Sequence, residues 1–231
     1  MSKNLIQGIA DLYVAPKSLF NTLAEKKGWS VIVFFLLLLV NTGVMYAFYA
    51  GMSPMWLVEQ QISAVAHTLS PAEIETTRAA MGHMADKTKY IVAAGVLVMT
   101  PIMLAIIAVY LMLVGNPGKK RPYGDWYAMT VWVSLPGLLN VLGLAVLMLL
   151  SSTPDMPINT PNYLSVNQLF LQLGPQDAWF SWAESLNLIY LWTTALTAVG
   201  LKCWSGYSTI KASLLAVAPL LIIYGLWALF I

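Results

Sequence analysis

Charged side chains are scarce in this sequence: 12 Lys and Arg and 10 Asp and Glu stand among 231 residues. At 10% charged against roughly 25% in soluble domains, the chain has too few charges to cover a water-facing surface. Lipid is therefore the medium for most of it. The net charge of +2 is too small to argue for a nucleic-acid partner. Cysteine is nearly absent as well. Cys203 alone allows neither an intrachain disulfide nor a cysteine metal cluster. Histidine is limited to His67 and His83. These two lie in one loop with Glu59, Glu73, Glu75 and Asp86 around them, but no H-E-x-x-H or comparable spacing joins them. Two solvent-facing histidines are a simpler account than a metal site. No cleavable signal peptide is read, because the first apolar run begins near Val31 and no A-x-A-like site follows. Gly115-x-x-Gly118-Lys119 is not a phosphate loop, since the full spacing and a preceding strand are missing. No nucleophile has a base beside it in sequence, and no catalytic residue or cofactor is implied.

Apolar runs are plentiful. Hydrophobic residues reach 59%, and five segments approach the ~20 residues that cross a hydrocarbon core of about 30 Å. They are 29–50, 90–115, 127–151, 178–204 and 209–231. Aromatics mark many of their edges, namely Trp29, Tyr46, Tyr49, Tyr90, Trp126, Tyr127, Trp179, Trp182 and Trp204, as side chains with an apolar body and a polar tip do at the lipid–water boundary. The expected fold is all-α: a polytopic bundle of five transmembrane helices (29–231) behind an amphipathic lead-in (1–28).

Basic residues orient the chain. Lys3, Lys17, Lys26 and Lys27 precede the first span, Lys119, Lys120 and Arg121 fill a tight turn, and Lys202 and Lys211 flank the end of the fourth. Only Arg78, Lys87 and Lys89 fall on the other side, among most of the acidic residues. The positive-inside bias then places the N-terminus in the cytoplasm, and five spans leave Ile231 on the opposite side. The basic turn is explained by this topogenic role, and it could also contact anionic headgroups.

In the lead-in, Ile6, Ile9, Leu12 and Tyr13 recur at helical spacing, and Pro16 opens a second short helix offering Leu19, Phe20 and Leu23. The pair reads either as helices lying on the cytoplasmic leaflet or as a docking element for a soluble partner. The loop from 51 to 89 holds two helices, the second started by a capping box of Ser70 and Glu73 with Pro71 at its first position. The segment 151–177, broken by Pro154, Pro157, Pro161 and Pro175, reads as irregular with one helical turn near 166–171.

Few polar groups fall within the spans. Glu184, with Ser181, Asn187 and Thr194 on roughly one stripe of the fourth helix, is either a proton- or cation-handling carboxyl lining a crevice or a near-interface group that reaches water or caps a neighbour. Asn41 and Asn140 fit interhelical hydrogen bonds or substrate contact. Pro101, Pro136 and Pro219 each remove a helical hydrogen bond, and Pro136–Gly137 after Ser134 is the strongest break. Broken helices can build ion or substrate sites, but kinks without a site are the ordinary outcome.

Several segments in order resemble the Yip1-domain membrane family. They are Leu12-Tyr13-x-x-Pro16-x-x-x-Phe20-x-x-Leu23, Trp29, Trp132-x-Ser134-x-Pro136-x-Leu138-Leu139, Leu191-Trp192, Leu196-Thr-Ala-Val-Gly200-Leu201-Lys202, Gly206 and Lys211-Ala212. The resemblance implies a five-helix bundle with a cytoplasmic N-terminus. Eukaryotic members are linked to vesicle trafficking and Rab GTPases, but a 28-residue lead-in is too short for an extended cytosolic recognition domain. The compact loops look more like a bacterial inner-membrane relative. The family offers no catalytic residues to carry over. Two functions remain open: a non-enzymatic scaffold working through lipid, a membrane-protein partner or a second copy, and a small transporter of solute, ion or proton with its crevice near Glu184. An enzyme acting on lipid has no supporting motif.

Overall fold

The computed structural model describes residues 4–23, 25–116 and 121–231, without the side chains of Lys27 and His67. Lys3, Lys119 and Lys120 of the basic clusters lie outside the described residues. Helices dominate, and among the described residues the only β pairing is an isolated antiparallel bridge between Ser165 and Asn187. The order is α1 (Leu5–Val14), α2 (Pro16–Leu23), α3 (Lys27–Gly51), α4 (Pro54–Val65), α5 (Pro71–Met84), α6 (Thr88–Gly115), α7 (Tyr123–Val133), α8 (Gly137–Leu150), α9 (Phe180–Ser185), α10 (Ile189–Ser205) and α11 (Thr209–Ala228).

Local chemistry sets most of the boundaries. Asn4 and Gln7 close a capping box on α1, each side chain accepting from the other's backbone N–H. Ala15, just before Pro16, leaves helical geometry, as the proline ring demands of its predecessor. The expected Ser70–Glu73 box starts α5. Ser53 caps α4, and Asp155 in turn accepts from the Ser53 backbone N–H (2.6 Å) and hydroxyl (2.9 Å). Arg78 of α5 bridges Glu59 and Glu75 at 2.8 and 2.7 Å. The hydrogen-bonded guanidinium holds the Glu59 carboxyl below the usual carboxylate range.

Among the described residues, four helical stretches are long and apolar enough to cross a membrane. They contain the expected spans in α3, in α6, in the Tyr123–Leu150 stretch and in α11. The stretch around α6 is continuous with α5 through one 3₁₀ turn at Ala85–Lys87. Tyr123–Leu150 is interrupted at 134–136, between α7 and α8, beside Pro136 and Gly137. Pro101 and Pro219 sit inside α6 and α11, which continue through them.

The expected fourth span, 178–204, departs from the sequence reading. It is two helices, α9 of 6 residues and α10 of 17. At 1.5 Å per residue α10 is about 25 Å long, roughly one turn short of a straight crossing. Leu186 is extended, and the backbone between the helices pairs sideways instead of along an axis. Val166 N–H donates to Leu186 C=O (2.8 Å) and Leu188 N–H to Leu164 C=O (3.0 Å).

Cα packing divides the chain into two compact units. The first comprises Met1–Leu39, Val98–Leu138 and Ile189–Leu226. Its core holds three tryptophans, Trp126, Trp132 and Trp204, with Leu104, Leu111, Leu196 and Leu201 around them. The lead-in is part of this core rather than a separate element: Leu12, Leu19 and Phe20 are fully buried. Trp204 Nε1 donates to the Phe20 carbonyl (2.8 Å), and Tyr13 meets Trp192 edge-on. Trp132 Nε1 donates to Ser30 Oγ (3.1 Å). Tyr110, Tyr207 and Ser205 hydroxyls donate to the carbonyls of Leu215, Val114 and Gly115, fastening α6 to the α10–α11 corner. Lipid tails are as apolar as the helices, so in lipid such bonds and close van der Waals fit hold the helices together in place of a hydrophobic drive.

The second unit comprises Val40–Leu97, Leu139–Leu188 and Trp227–Ile231. Phe48, Met52, Leu57 and Leu144 form one of its cores, and Val58 and Ile62 of α4 with Ala85 of the 3₁₀ turn after α5 a smaller one.

Candidate functional site

The second unit holds the one acidic side chain buried among the described residues. Glu184 is the penultimate residue of the short α9 and is 7% exposed. Facing it is a five-residue π-helical turn, Asn167–Leu171, closed by Gln172 in the left-handed region (φ 52°). A π turn widens the helix by one residue per bond and is common at functional positions. Here it brings three polar side chains onto one carboxyl group. Asn167 Nδ2 donates to Oε2 at 2.9 Å, and Gln168 Nε2 donates to Oε1 and Oε2 at 3.0 and 3.1 Å. Ser165 Oγ donates to Oε2 at a longer 3.5 Å.

The donors are themselves held. Asn167 Oδ1 accepts from Leu173 N–H (2.8 Å), and Ser165 Oγ accepts from Gln168 N–H (3.1 Å). The backbone bonds on either side of the Ser165–Asn187 bridge keep the two segments in register. The donors Ser165, Asn167 and Gln168 are a neutral hydroxyl and two primary amides. The arrangement is a tie between α9 and the Pro-rich segment, with both carboxyl oxygens in use.

The remaining expected residues are scattered. Ser181 is exposed on α9, Asn187 lies in the break, and Thr194 is on α10 in the other unit. The single stripe they were expected to form needs an unbroken helix, and the 186–188 pairing removes it. Asn41 is half-buried in α3. Asn140 Nδ2 donates to the Pro161 carbonyl (3.3 Å), a 3₁₀ turn of the Pro-rich segment rather than a second spanning helix. Its Oδ1 is buried without a partner among the described residues, as is the Thr42 hydroxyl. Pro136 and Gly137 belong to the first unit. His83 is exposed on α5 and the His67 backbone sits in a 3₁₀ turn. Among the described residues no three His, Cys, Asp or Glu side chains gather as metal ligands would. Of the basic turn, Arg121 is described. Its backbone N–H and C=O bond the Asn116 side chain, its guanidinium lies 4.6 Å over the Trp204 ring, and it reaches Asp125 at 3.5 Å.

The three donors to Glu184 have only a faint mark in the sequence. Their signal was Ser165-x-Asn167-Gln168, three short polar side chains within a run of Leu164, Val166, Leu169, Phe170 and Leu171.

The same unit contains a tight contact. A Cβ on Gly143 in α8 would run into the Tyr163 hydroxyl and ring. Gly143→Ala is expected to lower thermal stability in detergent by about 1–3 kcal/mol, the usual range for overpacking. A double-mutant cycle with Tyr163→Leu should show strong coupling, whereas additive effects would exclude the contact.

Against known families, the Yip1 domain matches residues 10–230, nearly the whole chain. No curated protein and no solved structure matches it. The segments that carried the resemblance converge in the first unit. Leu12, Phe20, Leu23, Trp132, Leu196, Leu201 and Ala212 are all buried in its core, with Tyr13, Trp29 and Leu138 packed against them.

Proposed function

We propose a membrane-organising, non-enzymatic role for this chain, which belongs to the Yip1 family and is an integral membrane protein. The observation that carries the reading is the use of Glu184: both carboxyl oxygens are occupied in a tie made by Asn167, Gln168 and Ser165. A group so engaged positions segments and is poorly placed to pick up and release an ion. The work then falls to the surfaces of the helices, which present Val31, Phe35, Ile102, Ile106, Leu214, Leu221 and other large apolar side chains outward to lipid, to a membrane-protein partner or to a second copy. The distribution of basic residues supports a cytoplasmic N-terminus, and the likeness of the compact loops to bacterial relatives supports a bacterial inner membrane. With α10 crossing as a short fourth span of five, Ile231 would face the periplasm, and cysteine-labelling of both ends tests that threading.

The second reading, a small-solute, ion or proton transporter, draws on the discontinuous helices and on the partnerless Asn140 Oδ1 and Thr42 hydroxyl in the second unit. Glu184→Gln separates the two. In proteoliposomes the expected outcome is no change in proton or solute flux from wild type. Flux present in wild type and abolished in Glu184→Gln would overturn the scaffold reading.

A further inference from the structure

The first unit contains a cleft that neither functional reading uses. Its volume is about 470 Å³, within the roughly 300–1,000 Å³ range of small-molecule sites. One wall is Val31, Phe34 and Phe35 of α3, and the facing wall is Tyr127, Ala128 and Val131 of α7. Ser30, Pro122, Gly124 and Asp125 line it nearer the N-terminal ends of the two helices, and Leu23 and Trp204 complete it.

The cleft is graded along the helix axes. Ser30 and Asp125 fall in the opening turns, just after the basic residues Lys26 and Arg121. Phe35 and Val131 are five and six residues further on, about 8–9 Å along each axis. Both helices lie in stretches fit to span the membrane, and the walls continue onto open apolar surface, with Val31 56% and Phe35 51% exposed. An apolar slot of this kind, lying in lipid with its polar end at the charged boundary, matches the shape of an amphiphile oriented as in a bilayer.

The polar end also selects a headgroup. Asp125, with 14% of its side chain exposed, lines the cleft and is joined to Arg121 by a single 3.5 Å contact. Arg121 is spread over Trp204, which lines the same cleft, and its Nε is buried with no partner among the described residues. A headgroup bearing only negative charge would set phosphate against Asp125. A quaternary ammonium has no N–H to give the carboxylate. A phosphate carrying a primary ammonium satisfies both: the ammonium donates to Asp125 and the phosphate accepts from Arg121, each a charge-assisted bond.

We propose that the α3–α7 cleft binds one molecule of an aminophospholipid of the phosphatidylethanolamine class, an acyl chain lying between Phe35 and Val131 and the headgroup bridging Asp125 and Arg121. This site does not depend on whether the chain scaffolds or transports. The test uses the full chain reconstituted in vesicles of equal parts phosphatidylethanolamine, phosphatidylglycerol and phosphatidylcholine. After extraction in mild detergent, the retained lipid is quantified by mass spectrometry.

The expected result is about one retained phosphatidylethanolamine per chain, enriched roughly tenfold over the other two, the size of one charge-assisted bond. Asp125→Asn should lower that enrichment to near unity. Ala128→Trp, which fills the slot, should remove retained lipid of every class. Equal retention of the three lipids, preference for phosphatidylglycerol, or no retained lipid in the wild type would each overturn the proposal. So would wild-type enrichment in Ala128→Trp. The wild-type measurement decides on its own if either variant fails to fold.

Discussion

Removal of residues 5–23 should leave a chain that cannot be extracted as a monodisperse protein. Helices α1 and α2 bury Leu12, Leu19, Phe20 and Leu23 completely or nearly so, and the Phe20 carbonyl accepts the Trp204 indole N–H. Gly8 also lets Trp29 approach closely, for a Cβ there would stand 2.7 Å from the Trp29 ring. Losing one large buried side chain costs about 2–5 kcal/mol. Losing four, with a buried N–H stripped of its acceptor, is as large as the roughly 5–15 kcal/mol that holds an ordinary domain together. Size-exclusion chromatography in detergent and a thermal melt would show aggregation or the absence of a cooperative transition. A truncated chain that elutes sharply and melts with the wild type would mean the lead-in is a detachable tail after all, and would restore its reading as a docking element.

Gly115→Val should be nearly as damaging, through one position. The last residue of α6 faces the Trp126 ring so closely that any Cβ there collides with it. Trp126 is fully buried, edge-on to Trp204 with centroids 5.6 Å apart, so it has no room to retreat. The Gly115 carbonyl accepts from Ser205 at 2.6 Å, and displacement of α6 would strain that bond too. Overpacking of a rigid aromatic site costs about 3 kcal/mol or somewhat more, read as a drop in the melting temperature. Trp126→Leu in the same chain should recover part of the loss by making room. If Gly115→Val melts with the wild type, the packing of the three-tryptophan core is not as described.

The sequence made the membrane-embedded, helical character of the chain plain, because scarcity of charge and length of apolar run are properties that no tertiary contact can reverse. Individual caps were equally legible: Ser70, Pro71 and Glu73 act within one turn, so their chemistry is local. What escaped was nonlocal. Hydropathy joins 178–204 into one run, and it cannot show that Leu186 and Leu188 would give up helical bonds to pair with Val166 and Leu164. Periodicity identified the lead-in helices but not what they would cover. It marked Leu12, which is fully buried, and equally Ile6, which is 76% exposed. For Glu184, the sequence supplied the group and its unusual setting. Its partners come from a Pro-rich segment 16 to 19 residues away, folded back by a π turn that has no sequence signature of its own.

The makeup of that tie has a consequence for how the protein meets ionic solutions. The cluster of Arg78, Glu59 and Glu75 on α4 and α5 is exposed and draws on attraction between full charges, which dissolved salt screens over about 10 Å at 0.1 M. The hold on Glu184 comes from amide and hydroxyl dipoles at contact distance in a buried pocket, where mobile ions have little to shield. High ionic strength should therefore loosen the helical hairpin while leaving the link between α9 and the Pro-rich segment intact.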